Sequence, residues 1–179
     1  MRRHYFILGP SGVGKTTFGD FVAQRGKYLH LKIDTGIEGE NGIDVEGIRD
    51  QWDILASEHD FVPLALKLNR RAADAAVQGC ILTFPSGIVF DQNEIRTADK
   101  YHIAIRYLFA SKERCISAFI KRESKDGFPE HDRQYWAANN KTYETIGGLP
   151  LAPYRVQVYD WFDNHLSCKE IAERLNINL

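Results

Sequence analysis

Net charge is almost absent from this sequence: 23 Lys and Arg stand against 24 Asp and Glu, a formal −1 over 179 residues. Without an excess of positive charge, composition sets no surface aside for nucleic acid or an anionic membrane. The short basic clusters Arg70-Arg71 and Lys121-Arg122 are flanked by acidic or neutral residues. Cysteine is scarce, with Cys80, Cys115 and Cys168 alone. An odd, scattered set excludes a disulfide framework and points to a reducing cytoplasm. No apolar run approaches the roughly 20 residues that a membrane-spanning helix needs. Met1-Arg2-Arg3 resembles the start of a leader, but the apolar residues behind it stop at Gly9-Pro10 and read instead as a first strand. The six histidines show no metal-ligand spacing, so no bound zinc is expected. Internal repeats, low-complexity tracts and linkers are missing too, and the length suits one domain over residues 1–179. What remains is 44% hydrophobic and 26% charged, a composition that can fill a core.

The stretch Gly9-Pro10-Ser11-Gly12-Val13-Gly14-Lys15-Thr16 has the form G-x-x-x-x-G-K-[ST]. Tyr5–Leu8 before it reads as a buried strand, and the residues from Thr16 to about Arg25 read as a helix with Phe18, Phe21 and Val22 turned to the sheet. Glycines let the backbone turn tightly and bring its N–H groups close to an anion. The helix N-terminus aims unpaired N–H groups and the positive end of its dipole at the same place. Lys15 adds a charge for the β- and γ-phosphates, and the Thr16 hydroxyl can ligate Mg²⁺. Gly9, Pro10, Ser11, Gly12, Val13, Gly14, Lys15, Thr16 and the adjoining Thr17 are therefore the candidate nucleotide site.

Further along, Tyr28–Asp34 alternates as a second strand, and Thr35–Gly42 is a glycine-rich acidic loop. Helical spacing covers Asp44 to about Ser57 and Phe61 to Val77, with Gly79 closing the second helix. Cys80–Phe84 is strand three, ended by Pro85-Ser86-Gly87, and a short helix spans Gln92 to Ala98. Ile103–Phe109 is strand four, and Ser111 caps a helix to about Arg122. A polar stretch follows at 123–131, then a helix from the Asp132 cap to about Ile146 and a loop over Gly147–Pro150. Tyr154–Asp160 is strand five, and Ser167-x-x-Glu170 is a capping box for the last helix. Five strands alternating with helices specify a parallel sheet covered on both faces, a three-layer α/β/α architecture. Ligands of such sheets sit beyond the C-terminal strand ends, which gathers Gly9–Thr16, Asp34, Ser86-Gly87 and the segment after Phe109 at one edge.

With its extra Gly12, its length and this order of elements, the chain resembles the small P-loop kinases of the shikimate kinase and nucleoside-monophosphate kinase group. The resemblance implies a five-stranded parallel sheet in the order 2-3-1-4-5. It also implies an acceptor-binding region after strand two, at about 35–78, and a lid after strand four, at about 123–131. It implies ATP as donor and a small-molecule phosphoryl acceptor. It places an acidic residue, Asp34, at the end of strand two near the acceptor hydroxyl and the metal. Where that family often carries two Asp separated by one residue, this chain has Asp34-Thr35-Gly36. Ser86-Gly87 corresponds to a turn that touches the acceptor, and Arg49 is placed to bind an anionic group on it. Arg122, Lys125 and Arg133 are the candidate lid cations, with Arg122 the catalytic candidate.

Phosphoryl transfer needs donor and acceptor held in line and the spreading negative charge neutralised. Asp34, by its place at a strand end, suits a base, an acceptor-binding group or a metal-water ligand ahead of the alternative, an Asx-turn residue before Thr35-Gly36. Arg49 and the lid cations serve equally as solvated surface charges. Strand three carries no acid over Cys80–Phe84, which suits an acid on strand two and weakens a motor or transporter ATPase. A GTPase switch lacks its motifs: Asp44-Val45-Glu46-Gly47 follows no long strand, and Asn140-Lys141-Thr142-Tyr143 lacks the final Asp. A nucleotide-binding regulator with only weak ATPase activity is the competing reading. The acceptor's identity and the oligomeric state, monomer or homodimer, are open at this level.

Overall fold

The computed structural model describes residues 2–33, 61–84, 87–123, 133–160 and 164–179, and of 122–123 and 133–138 the backbone alone. Its centre is β1 (His4–Leu8), all five residues of which are buried. A strand covered on both faces has no polar side to show, and so it reads as a continuous apolar run rather than an alternation. β2 (Tyr28–Lys32), β3 (Gly79–Thr83), β4 (Ile103–Phe109) and β5 (Arg155–Gln157) complete one sheet in the order β2-β3-β1-β4-β5. Every pairing is parallel: Tyr5–Ile7 lies beside Ile81–Thr83, and His4–Leu8 beside Ile103–Tyr107. This is the expected order, with the loop-bearing strand in the middle.

Helices close both faces, giving the three-layer α/β/α arrangement. On one face, α2 (Val62–Asp74) buries Leu64, Ala65, Leu68 and Ala72 at helical spacing, and α3 (Gln92–Lys100) buries Ile95 and Ala98. These join Phe6, Leu31, Leu82, Ile105 and Tyr107 in one core. On the other face, α1 (Lys15–Ala23) buries Phe18 and Val22, and α6 (Cys168–Arg174) buries Ile171 and Ala172, against Tyr5, Ile7, Ile81 and Leu108. α4 (Lys112–Glu123) and α5 (Arg133–Gly147) follow β4. Ser111 Oγ accepts from the Arg114 N–H at 3.4 Å, the cap expected for α4. The expected capping box opens α6, with Ser167 and Glu170 each satisfying the other's backbone N–H.

Several boundaries need correction. α2 is not closed by Gly79; it ends through Ala76 at φ 54°, with the Val77 N–H returning to the Ala72 carbonyl at 2.9 Å. Gly79 opens β3 instead, where an added Cβ would collide with the Arg3 carbonyl. β2 stops at Lys32, two residues before Asp34, although the Ile33 N–H still reaches the Thr83 carbonyl at 3.0 Å. The expected loop at 147–150 runs into a 3₁₀ helix, Leu149–Tyr154, which takes Tyr154 from β5, and the strand itself is only Arg155–Gln157. Tyr159 returns only as an isolated antiparallel bridge to His165. α3 has a cap beyond those expected: Asp91 and Glu94 form a second capping box.

Candidate functional site

The loop after β1 sits at the C-terminal edge of the sheet. Gly12 and Gly14 carry φ of 78° and 94°, values that disfavour any side chain. At Gly12 there is no room either, because a Cβ would strike the carbonyl of Cys115 in the first turn of α4. The loop is thus wedged against the element that follows β4. Gly14 is the residue before α1, and the Phe18 N–H closes the first helical bond to its carbonyl at 3.0 Å. The following turn of helix presents Thr16, half-buried, and Thr17, exposed, beside the loop.

Lys15 is buried, which is unusual for a lysine. Its Nζ donates to the carbonyls of Gly9 at 2.9 Å and Pro10 at 3.0 Å. The loop's own oxygens therefore hold the ammonium inside the ring of backbone. Val13 N–H points at the same Pro10 carbonyl at 3.4 Å. Ser11 N–H donates to the Oδ1 of Asn139, a buried residue of α5, at 3.2 Å. Nothing in the sequence marks Asn139. It is a polar residue inside a helix, and only the fold brings it to the loop.

A second polar group lies on the same face as α1. His30 on β2 joins Asp20 of α1 through Nδ1 at 2.8 Å and Thr83 of β3 through Nε2 at 2.9 Å. Lys32 Nζ adds an ion pair to the same Asp20 oxygen at 3.2 Å. Asp20 stands one helical turn beyond Thr16, and Thr83 is the last residue of β3. The strand that carries no acid thus ends in a buried hydroxyl tied through histidine to a carboxylate on the loop's helix. This network carries no signal in the sequence, because its members are separated by 10 and 53 residues and match no motif.

Two clefts open at this edge. One, of about 380 Å³, is lined by Ala110, Ser111 and Arg114 after β4 and by Gln157, Tyr159 and Asp160 around the end of β5. The Arg114 guanidinium lies over the Tyr159 ring, 4.3 Å from its centroid. The other, of about 520 Å³, lies between the turn that holds Gly87, the capped start of α3, and α5, which presents Lys141, Thr142 and Thr145. α5 borders the larger cleft, and its Tyr143 hydroxyl donates to the carbonyl of Ser111, a residue of the smaller one, at 3.2 Å. The thiol of Cys115, packed beneath, has its pKa pushed up by burial.

Of the remaining candidates, Gly87 lies on the larger cleft at φ 122°. Arg122 falls in the last turn of α4 and Arg133 opens α5, with the side chains of both outside the described residues. Asp34, Arg49, Ser86 and Lys125 lie outside the described residues, as does most of the expected lid at 123–131. Among the described residues, no group of three or more His, Cys, Asp or Glu is gathered for a metal, and no helix is long and apolar enough to cross a membrane.

No family model matches the chain. Shikimate kinase from Vibrio vulnificus is 39% identical over 49 residues, which is 27% of this chain and 28% of that enzyme, so the likeness in sequence spans under a third of either. Solved structures align over nearly the whole length. Shikimate kinase from Acinetobacter baumannii in complex with shikimate has 17% identity and a TM-score of 0.52, covering 98% of this chain and 92% of that one. A gluconokinase from Sinorhizobium meliloti has 16% identity and a TM-score of 0.51 over 97% of this chain and 89% of its own. A putative kinase from Chloroflexus aurantiacus reaches 0.54 at 17% identity, covering 99% of this chain and 98% of its own. Glycine-loop strand in the centre, sheet order and flanking helices together make this chain similar in fold to the small P-loop kinases, shikimate kinase among them.

Proposed function

We propose that the chain is an ATP-dependent phosphotransferase that moves the γ-phosphoryl group to a hydroxyl of a small-molecule acceptor, as shikimate kinase does. The carrying observation is the loop: backbone that turns into a helix N-terminus, with a buried lysine ammonium held by the Gly9 and Pro10 carbonyls. In this reading the residues 9–17 hold the donor phosphates. Lys15 leaves the Gly9 and Pro10 carbonyls for phosphate oxygens, exchanging neutral acceptors for charged ones, which bind an ammonium more strongly. The nucleoside occupies the cleft beside β4 and β5, where the Arg114–Tyr159 pair offers a flat face. The acceptor occupies the larger cleft, at Gly87 and α5.

Mg²⁺ fits the donor set. Thr16 offers a hydroxyl oxygen at the helix N-terminus, and a hard cation of this kind takes few protein ligands and several phosphate and water oxygens. Thr16 and Asp34 would hold it, and it would neutralise charge on the transferred group. Asp34 also receives the acceptor's hydroxyl proton, Arg49, Ser86 and Gly87 hold the acceptor, and Arg122 and Arg133 bring positive charge from the lid side. The whole chain forms one cytoplasmic kinase domain, with 35–78 as acceptor region and 123–131 as lid.

The test is ADP release from Mg·ATP across a panel of small hydroxyl and phosphate compounds, with Lys15→Ala as control. One acceptor should raise turnover at least tenfold over the water reaction, and Lys15→Ala should remove the increase. Nucleotide binding without stimulation by any acceptor would overturn the kinase and favour a nucleotide-binding regulator with weak ATPase activity.

A further inference from the structure

The peptide group between Pro10 and Ser11 is used at both ends. Its carbonyl accepts from Lys15 Nζ at 3.0 Å, and its N–H donates to Asn139 Oδ1 at 3.2 Å. A peptide unit is planar and stiff, so its C=O and N–H turn together. Whatever fixes the N–H fixes the direction of the carbonyl on which the lysine rests. Asn139 is 2% exposed and stands in α5, the helix that lines the larger cleft with Lys141, Thr142 and Thr145.

We propose that Asn139 is a positioning residue for Lys15: through the Pro10–Ser11 peptide it sets the seat of the ammonium and ties the phosphate loop to α5. The inference rests on the reading of this loop as the nucleotide site. Three features support a dedicated contact over chance packing. The amide is buried, where an unpaired polar group is costly. It bonds the loop directly, across 128 residues of sequence. The helix that carries it also holds the segment after β4, against which Gly12 is packed, through the Tyr143 hydroxyl on the Ser111 carbonyl. When α5 shifts relative to the sheet, Asn139 draws the Pro10–Ser11 plane with it, and the ammonium loses or regains one of its two loop carbonyls.

The experiment is a double-mutant cycle on nucleotide affinity, read by titration of a fluorescent ATP analogue with Mg²⁺. Asn139→Ala alone should weaken binding about tenfold, the scale of one well-placed hydrogen bond. In the Lys15→Ala background the same substitution should change affinity less than twofold, because the group it positions is gone. A full tenfold loss in both backgrounds would make Asn139 a general structural contact and overturn the proposal, as would no loss in either. Amide hydrogen exchange gives a readout that needs no nucleotide. The Ser11 N–H of the unmodified protein should exchange at least tenfold slower than in an unstructured peptide and should lose that protection in Asn139→Ala. Free exchange in the unmodified protein also overturns the proposal. If Ser11 is protected as expected but no nucleotide binds the unmodified protein, the nucleotide reading fails while the contact stands.

Discussion

At the scale of single residues, burial decides more than residue type. His4 is completely buried at the start of β1; its Nδ1 accepts from the Cys80 N–H at 3.1 Å, and its Nε2 has no hydrogen-bond partner among the described residues. Burial pushes its pKa from 6.5 down to about 4. The native state therefore refuses a proton that the unfolded chain accepts below pH 6.5. Stability from this group is intact above 6.5, falls by about 1.4 kcal/mol per pH unit beneath it, and levels off below the folded value, for a total of about 3 kcal/mol. Urea unfolding at pH 7 and pH 4 should show that loss, and His4→Leu should flatten the difference whatever it costs at neutrality. An equal pH slope in the variant would place the acid sensitivity elsewhere. The same contrast separates what was legible from what was not. Lys15 was read from its motif. His4, Asn139 and the Asp20–His30–Thr83 group carry no local signature, because their roles come from partners 10 to 128 residues away.

At the scale of elements, local chemistry wrote the boundaries wherever a side chain itself makes the stop or start. Ser167-x-x-Glu170 was readable because a capping box is complete within one turn, and it is present as expected. Asp91-x-x-Glu94 carries the same signal for α3. The termination of α2 was not readable. It uses Ala76 in a left-handed conformation, and the glycine that looked like the stop is needed three residues later, where strand backbone passes too close for a Cβ. β5 was overestimated for a related reason: its alternating pattern continues to Asp160, but only Tyr107–Phe109 of β4 is available to pair with it. The cap on α6 can be weighed directly. The helix has only seven residues, so its ends are a large share of it. Ser167→Ala should destabilise the protein by about 1 kcal/mol in urea unfolding, and Ser167→Asp, which keeps an oxygen for the Glu170 N–H, should lose less. Equal losses would mean that packing of Ile171 and Ala172, and not the cap, fixes this helix.

For the whole molecule, the sheet order explains why the loop and both clefts share one edge. Chain direction across the sheet reverses at β1: β3 and β2 lie on one side, β4 and β5 on the other. Connections leave from opposite sides there, and the gap between them is the place for a ligand. The larger cleft is bordered by the turn after β3, the smaller by the segments after β4 and β5, and the loop follows β1, which stands between β3 and β4. A molecule seated in the loop therefore bridges the two halves of the sheet and the helices on both faces. It should stabilise the fold as a unit. At 100 times its dissociation constant, Mg·ATP should add about 2.7 kcal/mol to unfolding, which for a chain of 179 residues is a rise in Tm of roughly 5–10 °C. Calorimetry should show the shift as one cooperative transition, and Lys15→Ala should abolish it at the same nucleotide concentration. A rise confined to part of a split transition would mean that the loop and one cleft unfold apart from the rest, and that the two sides of the sheet do not share the ligand.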